Sequence, residues 1–560
     1  GLEDAYRFTR GEEVTASKGF KAQLGRPLDF VVIADHSDGM GFFDMFASGD
    51  PMMMEKEEGR RWNKAINEGG QASVDAALEI ITTFSQGKMP WKTNDPDLMK
   101  PVWHQTIEAA EKFNEPGKFT AFIGYEWTSL LKGNNLHRVV IYKDGGNEAR
   151  QTLPFTLEDS ADPERLWDAM QAYEEKTGGD LLAIPHNGNL ANGIMFDVET
   201  LSGKPIDKDY ASRRQQWEPL YESTQIKGDG EAHPFLSPDD EFADYETWDL
   251  GNLDMSAPKT DDMLAGEYAR SGLKRGLEFE QKVGVNPYKF GQIGSTDSHT
   301  SLPVVEENNF FGKHSGVEPS PERASHVVIG GENGKIMGHQ MASSGYAAVW
   351  AKENTRQAIF DAMSRKETYA TTGSRMAVRF FGGWDFTEAD ANSRQPAEAG
   401  YSRGVPMGGN LSQVPDGKSP TFLVAAMKDA MSGNLDRIQI IKGWVGKDGK
   451  AQERVYDVAV SDGRKIDKNG RCKTPVGNTV DVENATWTNT IGDPELIAVW
   501  TDPDFDANQR AFYYVRVLEI PTPRWTAYEA KRFNVKMPKD TKMVTQERAY
   551  TSPIWYTPKS

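Results

Sequence analysis

The sequence predicts an α/β domain followed by a β-rich domain, and two observations carry that prediction. From residue 28 to about 375, short apolar runs alternate with helical stretches, which is typical of a mostly parallel sheet, open or closed. After about residue 376, strand-like runs divided by Gly, Asp, Asn and Pro clusters replace the helical period. We therefore predict domains at 1–375 and 376–560.

Five apolar runs of the first domain are rich in Val, Ile and Phe, which indicates strands buried on both faces. They are "LDFVVIAD" (28–35), "FTAFIGYEW" (119–127), "HRVVIY" (137–142), "DLLAIPHN" (180–187) and "FGQIGSTDSH" (290–299). Helical stretches lie between them, at 73–84, 103–114, 163–179 and 355–367. The stretch at 163–179 begins with Pro and ends with Gly, the usual punctuation of a helix.

Two long insertions interrupt the alternation. Residues 228–262 are acidic and lack a regular period, and residues 300–346 are rich in Gly, Pro and Ser. Long loops in a compact domain are usually functional or disordered, and both insertions follow strand ends, where lids tend to lie. In the second domain, runs such as "PTFLVAAMK" and "RAFYYVRVLEI" predict a β-sandwich or similar β-rich fold.

Composition excludes several classes of protein. With 38% hydrophobic and 26% charged residues, the chain resembles an ordinary globular protein, and no run approaches the roughly 18 apolar residues of a spanning helix. The formal charge of −19 argues against a nucleic-acid polymer as partner, although bound divalent cations would still allow a small anionic substrate. The single Cys472 excludes an intrachain disulfide framework and a Cys-rich zinc site.

Histidines and acids lie at the boundaries of the five predicted strands. The candidates are Asp35, His36, Glu126, His137, His186, Asp297 and His299. Side chains at the carboxyl ends of strands converge in α/β folds. Imidazole and carboxylate without thiolate suit Zn, Fe or Mn, and seven candidates exceed the about four protein ligands of a single ion. The sequence therefore predicts a site for more than one ion.

Each candidate alone also has a structural interpretation. His186 follows a proline and could be a hydrogen-bonded core residue, Glu126 could be a satisfied buried acid, and His137 could cap a strand. The Asp-x-His pair at 297–299 could initiate a turn or cap a helix. Only the joint occurrence of these residues favours metal ligands.

Supporting groups are offered by "YESTQIKGDGE", which contains Glu222, Lys227 and Glu231. Lys227 is a candidate to hold a substrate anion, and Glu222 is a candidate second acid. Surface salt bridges are the alternative role for all three. Near the C-terminus, Arg524 and Trp525 are candidates either for pocket walls or for packing between domains.

The ordered series "ADHSD", "GYEW", "LHRVVIY", "PHNGN" and "GSTDSH" resembles the polymerase-and-histidinol-phosphatase (PHP) superfamily of metal-dependent phosphoesterases. More closely, "DAYRFTRGEEV", "EPLYESTQIKGDGEAHP" and "IPTPRWTAYEA" look like a large, mainly bacterial family of proteins of unknown function within or beside that superfamily. The likeness covers nearly the whole chain.

The resemblance implies a distorted (β/α)7 barrel holding two or three Zn, Mn or Fe ions, with a metal-bound hydroxide attacking phosphorus. The matching positions are, in the order of the superfamily's motifs, Asp35 with His36, Glu126 as bridging acid, His137, His186, and Asp297 with His299. The superfamily's first motif, His-x-His, is absent. In related sequences it lies just upstream of a segment like "DAYRF". We therefore expect either that the chain as given starts after this motif, or that the protein lacks two ligands.

We therefore predict a metal-dependent hydrolase, with a phosphoesterase as the preferred class, acting on a small anionic substrate. His186 or His299 would move protons, and Lys227 would contact the substrate. Two alternatives stay open: an amidohydrolase-type or other ester hydrolase using the same metal-activated water, and a non-catalytic protein whose ions brace a binding scaffold. The missing leader, the solitary cysteine and the family likeness favour a periplasmic or secreted location over a cytoplasmic one, and the sequence does not fix the oligomeric state.

Overall fold

The computed structural model describes residues 1–393, 395–411, 414–415 and 417–559. Positions 394, 412–413, 416 and 560 belong to the predicted C-terminal domain and lie outside the described residues. The helices are α1 (Leu2–Thr9), α2 (Phe42–Ser48), α3 (Pro51–Met54), α4 (Glu57–Glu68), α5 (Gly70–Ser85), α6 (Pro96–Phe113), α7 (Gly146–Ala149), α8 (Pro163–Thr177), α9 (Lys208–Trp217), α10 (Asp261–Leu264), α11 (Ala269–Val283), α12 (Arg356–Ser364), α13 (Glu388–Ala391), α14 (Pro396–Arg403) and α15 (Trp525–Phe533).

Strands occur along the whole chain. In the first half they are β1 (Val14–Thr15), β2 (Lys21–Ala22), β3 (Phe30–Val32), β4 (Thr120–Trp127), β5 (Leu130–Leu131), β6 (Asn134–Asn135), β7 (Arg138–Tyr142), β8 (Leu181–Pro185), β9 (Leu220–Gln225), β10 (Gly228–Asp229) and β11 (Gly291–Gly294). In the second half they are β12 (Val327–Gly331), β13 (Gly334–Met337), β14 (Tyr346–Val349), β15 (Thr368–Thr371), β16 (Ala377–Gly383), β17 (Gly404–Pro406), β18 (Asn410–Leu411), β19 (Thr421–Met427), β20 (Leu435–Val445), β21 (Ala451–Val460), β22 (Glu495–Thr501), β23 (Ala511–Glu519), β24 (Thr522–Pro523), β25 (Val544–Thr545), β26 (Arg548–Thr551) and β27 (Ile554–Tyr556).

Helix α8 shows how local sequence sets an element's ends. The Asp162 side chain accepts a hydrogen bond from the Glu164 N–H, and Pro163 occupies the first helical position, where no N–H is needed. The helix ends at Gly178, whose left-handed backbone (φ 73°) is open to glycine without a Cβ penalty. The predicted helix at 163–179 is thus fixed at both ends by its own residues.

The first sheet has the order β3-β4-β7-β8, and its strand directions are mixed. β3 and β4 are parallel, whereas β7 is antiparallel to both β4 and β8. The expectation of a mostly parallel sheet is wrong here, because only the ten residues 128–137, which contain the small β5–β6 hairpin, connect β4 to β7. A parallel connection needs a crossover of a dozen or more residues.

A second sheet, β10-β9-β11, continues the α/β part, with β9 and β11 parallel. Phe122 of β4, Leu182 of β8, Leu220 of β9 and Ile293 of β11 belong to one buried cluster, so the two sheets share a core. Pairings among the described strands do not close into a barrel. The (β/α)7 barrel therefore stays a prediction.

The C-terminal strands form two sheets that pack face to face. One has the order β17-β16-β19-β22, and the other contains β20, β21, β23, β26 and β27. Phe380 and Phe422 from the first sheet and Ile440 and Val515 from the second lie in one buried cluster. The larger sheet also includes β14 and β15, so it extends across the predicted boundary at residue 375.

Both insertions are packed against the C-terminal domain. In residues 228–262, Glu231 and Asp240 bind the buried Arg516 of β23. In residues 300–346, Arg323 pairs with Glu529 of α15. None of the described helices combines the length and the apolar character that a membrane crossing requires.

Candidate metal centre

The reversed direction of β7 explains how the predicted ligands meet. Glu126 lies one residue before the end of β4, His186 directly follows β8, and His137 directly precedes β7. Because β7 is antiparallel to both neighbours, its beginning lies at the same edge as their ends. His36 joins them through a parallel bridge to Glu126. Four side chains from four segments are therefore delivered to one edge of the sheet.

Glu126 is the centre of this group. Its Oε1 lies 2.7 Å from Nδ1 of His137 and 2.8 Å from Nε2 of His186. Its Oε2 lies 3.4 Å from Nδ1 of His36. One carboxylate thus contacts three imidazoles, two through Oε1 and one through Oε2.

The pKa values of Glu126 and His137 are lowered, whereas the Glu126 charge outweighs burial and raises the pKa of His186. Burial alone would raise the pKa of Glu126, but the His36 and His186 imidazoles and the hydrogen bonds from His137 and His186 hold it well below its ordinary value. Burial lowers the pKa of His137 to about 4, so this ring is neutral at pH 7. An ionised carboxylate and a neutral imidazole are the forms that metals bind.

Protein hydrogen bonds leave part of the cluster unsatisfied. His137 Nε2 and His186 Nδ1 are buried and have no hydrogen-bond partner among the described residues. Buried polar nitrogens are normally hydrogen-bonded, so each of these two rings has one nitrogen that can still bind another group. Ligand atoms of His36, Glu126 and His137 lie within 4.8 Å of one another. These residues fit a divalent ion in composition and in spacing.

A second contact connects His36 to the last predicted pair. Nε2 of His36 lies 3.1 Å from Nε2 of His299. Metal–nitrogen bonds of about 2.0–2.1 Å place two ligands of a tetrahedral ion about 3.3 Å apart. The two rings are therefore held close to the separation that a shared ion requires.

Asp297 contacts two lysines and lies 3.5 Å from Nδ1 of His299, but among the described residues it forms no hydrogen bond or ion pair with Glu126, His36, His137 or His186. Its carboxylate pairs with Nζ of Lys227, and its other oxygen lies 2.6 Å from Nζ of Lys313. Although burial raises the pKa of Asp297, these ammonium groups hold it well below its ordinary value. Asp297 has a left-handed backbone (φ 49°), and its carbonyl oxygen accepts a further bond from Lys313. Such strain is often found at functional sites.

Asp35 lies beside the cluster without joining it. Its carboxylate is exposed and forms no hydrogen bond or ion pair with the six other predicted ligands, all of which lie in the described residues. Its backbone carbonyl accepts the Glu126 N–H at 2.8 Å, which aligns the two segments. The role of Asp35 as a ligand stays a prediction.

The supporting residues predicted from "YESTQIKGDGE" are all buried, so their alternative assignment to surface salt bridges is wrong. Burial, followed by the Asp297 charge, raises the pKa of Glu222 to about 7, while His186 opposes the shift. Glu231 lies away from the centre, against Arg270 and Arg516. Arg524 pairs with Glu246, and the ring of Trp525 packs on Phe310, so this C-terminal pair connects segments and lines no pocket at the centre.

Sequence reasoning missed four residues that orient the centre. Thr128 Oγ1 lies 2.8 Å from Nδ1 of His36, and Gln225 Nε2 donates to Asp297 at 2.5 Å. Asn187 accepts a hydrogen bond from Gln225, and Lys313 holds Asp297 and His299. Asn187 lies inside the quoted "PHNGN" motif and could have been singled out there. Lys313 lies in an irregular insertion where no periodicity marks a functional position.

Comparison with known proteins identifies the family. The family model described as "Protein of unknown function (DUF3604)" matches residues 1–558. The chain belongs to the DUF3604 family. No curated protein and no solved structure matches it significantly. Membership in the DUF3604 family agrees with the resemblance of "DAYRFTRGEEV" and its companion segments to a family of unknown function, and it leaves the PHP relationship as a proposal.

Proposed function

We propose that this DUF3604 protein is a metal-dependent hydrolase and that phosphate esters are its substrates. The observation that carries the proposal is the sharing of the Glu126 carboxylate by His36, His137 and His186, at distances of 3.4, 2.7 and 2.8 Å. A carboxylate between imidazoles on one strand edge is a donor set for Zn, Mn or Fe. We infer that these residues and His299 hold two or three such ions.

Divalent ions bound there would lower the pKa of a coordinated water and offset negative charge on the substrate. The protein's own part is to fix the ligands. Thr128 holds the His36 ring, and Asn135 Oδ1 accepts the backbone N–H of His137 at 3.1 Å. Ligands that are held in this way need no rearrangement when the reaction occurs.

The exposure of the ligands supports a catalytic role over a bracing one. Glu126 and His186 are buried, with 7% and 2% of their side chains exposed, whereas His36 and His299 are 36% and 37% exposed. A purely structural ion is usually enclosed by protein ligands, while a catalytic ion keeps an open position. The exposed pair leaves one side of the centre accessible to a substrate.

The choice of phosphate esters rests on the PHP-like motifs and on Lys227. This lysine is buried beside Asp297 and places a positive charge at the edge of the centre. A phosphoryl group carries negative charge before and during transfer, so a fixed ammonium group would stabilise it. An uncharged amide substrate would make no comparable use of that charge.

The test combines elemental analysis with turnover. Purified protein should contain transition metal, and it should hydrolyse members of a panel of phosphomonoesters and phosphodiesters but not amides. His299→Ala and Asp35→Ala should lose metal and activity together. Full turnover in either variant would contradict its assignment.

A matched control separates metal loss from general damage. His233 is also buried, and its Nε2 lies 3.1 Å from an oxygen of Asp249, away from the imidazole cluster. His233→Ala should retain metal and activity. A protein without detectable transition metal, purified without chelator, would overturn the proposed function.

A further inference from the structure

The loop that follows β8 presents a hydrogen-bond donor that the protein does not use. Asn187 is 3% exposed, and its Nδ2 has no acceptor among the described residues. Its Oδ1 accepts from Gln225 Nε2 at 2.8 Å, which fixes the orientation of the amide group. A buried donor without an acceptor costs free energy, so its presence calls for an explanation.

Lys227 has spare donors as well. Its ammonium group carries three N–H bonds, and its only partner in the described part of the chain is Asp297 Oδ2. By contrast, Lys313 uses its three N–H bonds on Asp297 Oδ1, the Asp297 carbonyl and His299 Nδ1, at 2.6, 2.6 and 2.9 Å. Lys227 is therefore free to bind a ligand, whereas Lys313 positions its neighbours.

The spare donors belong to one hydrogen-bonded unit. Gln225 Nε2 bonds both Asn187 Oδ1 and Asp297 Oδ2, and Lys227 Nζ bonds the same Asp297 oxygen. Asn189 Nδ2 holds the Lys227 carbonyl at 3.0 Å. The unit borders the metal centre, because Asn187 follows His186 directly.

The backbone at Asn187 is left-handed. Its φ of 53° lies in a region that Asn adopts more readily than most residues, because its short polar side chain can hydrogen-bond locally. The next residue is also constrained, because a Cβ at Gly188 would collide with the carbonyl oxygen of Glu267. The close approach at Gly188 and the hydrogen bond from Gln225 thus hold the Asn187 amide in place.

We propose that Asn187 Nδ2 and Lys227 Nζ form an oxyanion-binding pair that holds the non-reacting phosphoryl oxygens of the substrate. The pair combines a neutral donor with a cation, which is the usual recognition chemistry for phosphoryl oxygens. This assignment rests on the proposed function for the identity of the ester, but the donors themselves are present without any metal.

The experiment measures binding of inorganic phosphate by calorimetry to Mn-loaded protein and to chelator-treated protein. Asn187→Gly removes the side chain and tolerates φ 53°, Asn187→Asp keeps the shape, removes the donors and adds a negative charge, and Lys227→Met removes the positive charge. Each variant should bind phosphate at least about tenfold more weakly, with unchanged metal content. Circular dichroism verifies folding, and Asn187→Asp serves if Asn187→Gly does not fold.

A matched control lies in the same loop. Asn192 also has left-handed φ (46°), but its Nδ2 already bonds the carbonyls of Ala257 and Pro258 at 3.3 Å. Asn192→Gly should therefore leave phosphate affinity unchanged. Equal phosphate affinity in wild type, Asn187→Gly and Asn187→Asp would overturn the pair.

Two further arms separate this proposal from the proposed function. If the protein took up no metal even without chelator, but the Asn187 and Lys227 variants still lost phosphate affinity, the pair would be supported and the hydrolase rejected. Acetate that competes as well as phosphate would overturn the phosphoryl assignment. Metal-loaded protein that does not bind phosphate would reject the pair and leave the metal centre standing.

Discussion

Replacing Glu126 by Gln tests the centre most directly, because the change keeps the shape of the side chain and removes its charge. The carboxylate serves His137 and His186 with one oxygen and His36 with the other. Gln offers a single neutral acceptor, and its NH₂ group must face donors or ligands. Loss of a partner that merely orients a ligand costs 10–100-fold in metal affinity, so we take about 100-fold for loss of the bridging acid.

The expected magnitude follows from linkage between binding and folding. At a metal concentration 100 times the dissociation constant, a bound ion stabilises the wild type by about 2.7 kcal/mol. With a 100-fold weaker site, the same concentration contributes only about 0.4 kcal/mol. Urea unfolding with Mn²⁺ or with chelator gives this metal-induced increment for each protein, independent of the baseline stability of the variant.

Glu218→Gln is the matched control. Glu218 is also a buried glutamate, but it pairs with Arg138 and Arg214 at 3.0 and 3.1 Å. Its variant should lose stability and retain the full metal-induced increment. If Glu126→Gln showed the same increment as wild type, the reasoning that makes Glu126 the bridging acid would be refuted.

Three further predictions concern the surrounding fold. Burial raises the pKa of Glu519 to about 7 in the folded protein. Between about pH 4.5 and 7 the unfolded chain loses this proton while the folded protein keeps it, so the folded protein becomes less stable as pH rises. Glu519→Gln should match wild type in urea unfolding at pH 4 and exceed it at pH 8 by up to about 3 kcal/mol. Asp240→Asn removes one of the two carboxylates that pair with the buried Arg516 and leaves Glu231 as its partner, so it should cost about 1–3 kcal/mol in chemical denaturation, and an unchanged stability would contradict this. Gly188→Ala drives a methyl group against the Glu267 carbonyl, so it should lower the melting temperature and the bound metal, and unchanged values of both would disprove the constraint.

The positions of the ligands could be predicted from the sequence because each lies beside a strongly apolar run. Apolar runs are recognisable strands, and their ends are where polar side chains of an α/β fold meet. Strand direction could not be predicted in the same way. His137 was assigned to the start of its strand, and only the antiparallel pairing of β7 explains why a strand start meets the ends of β4 and β8.

The residues that hold the ligands were harder to predict. Gln225 and Lys313 act through side-chain hydrogen bonds, and those to Asp297 span 72 and 16 residues of sequence; such contacts leave no periodic signal. The domain boundary is a similar case. The composition changes near residue 376, but β15 pairs with β26 across that position, since hydrogen bonding between strands depends on where the chain returns in space.

The predicted ligands differ in how deeply they are buried, and this difference favours hydrolysis over a bracing role. A protein that used ions only to brace its fold would gain most by enclosing every ligand, because exclusion of water strengthens each contact. Here Glu126, His137 and His186 are buried, while the side chains of His36 and His299 are 36% and 37% exposed. Leaving two imidazoles of the centre open to solvent is understandable if a substrate reaches the centre through them.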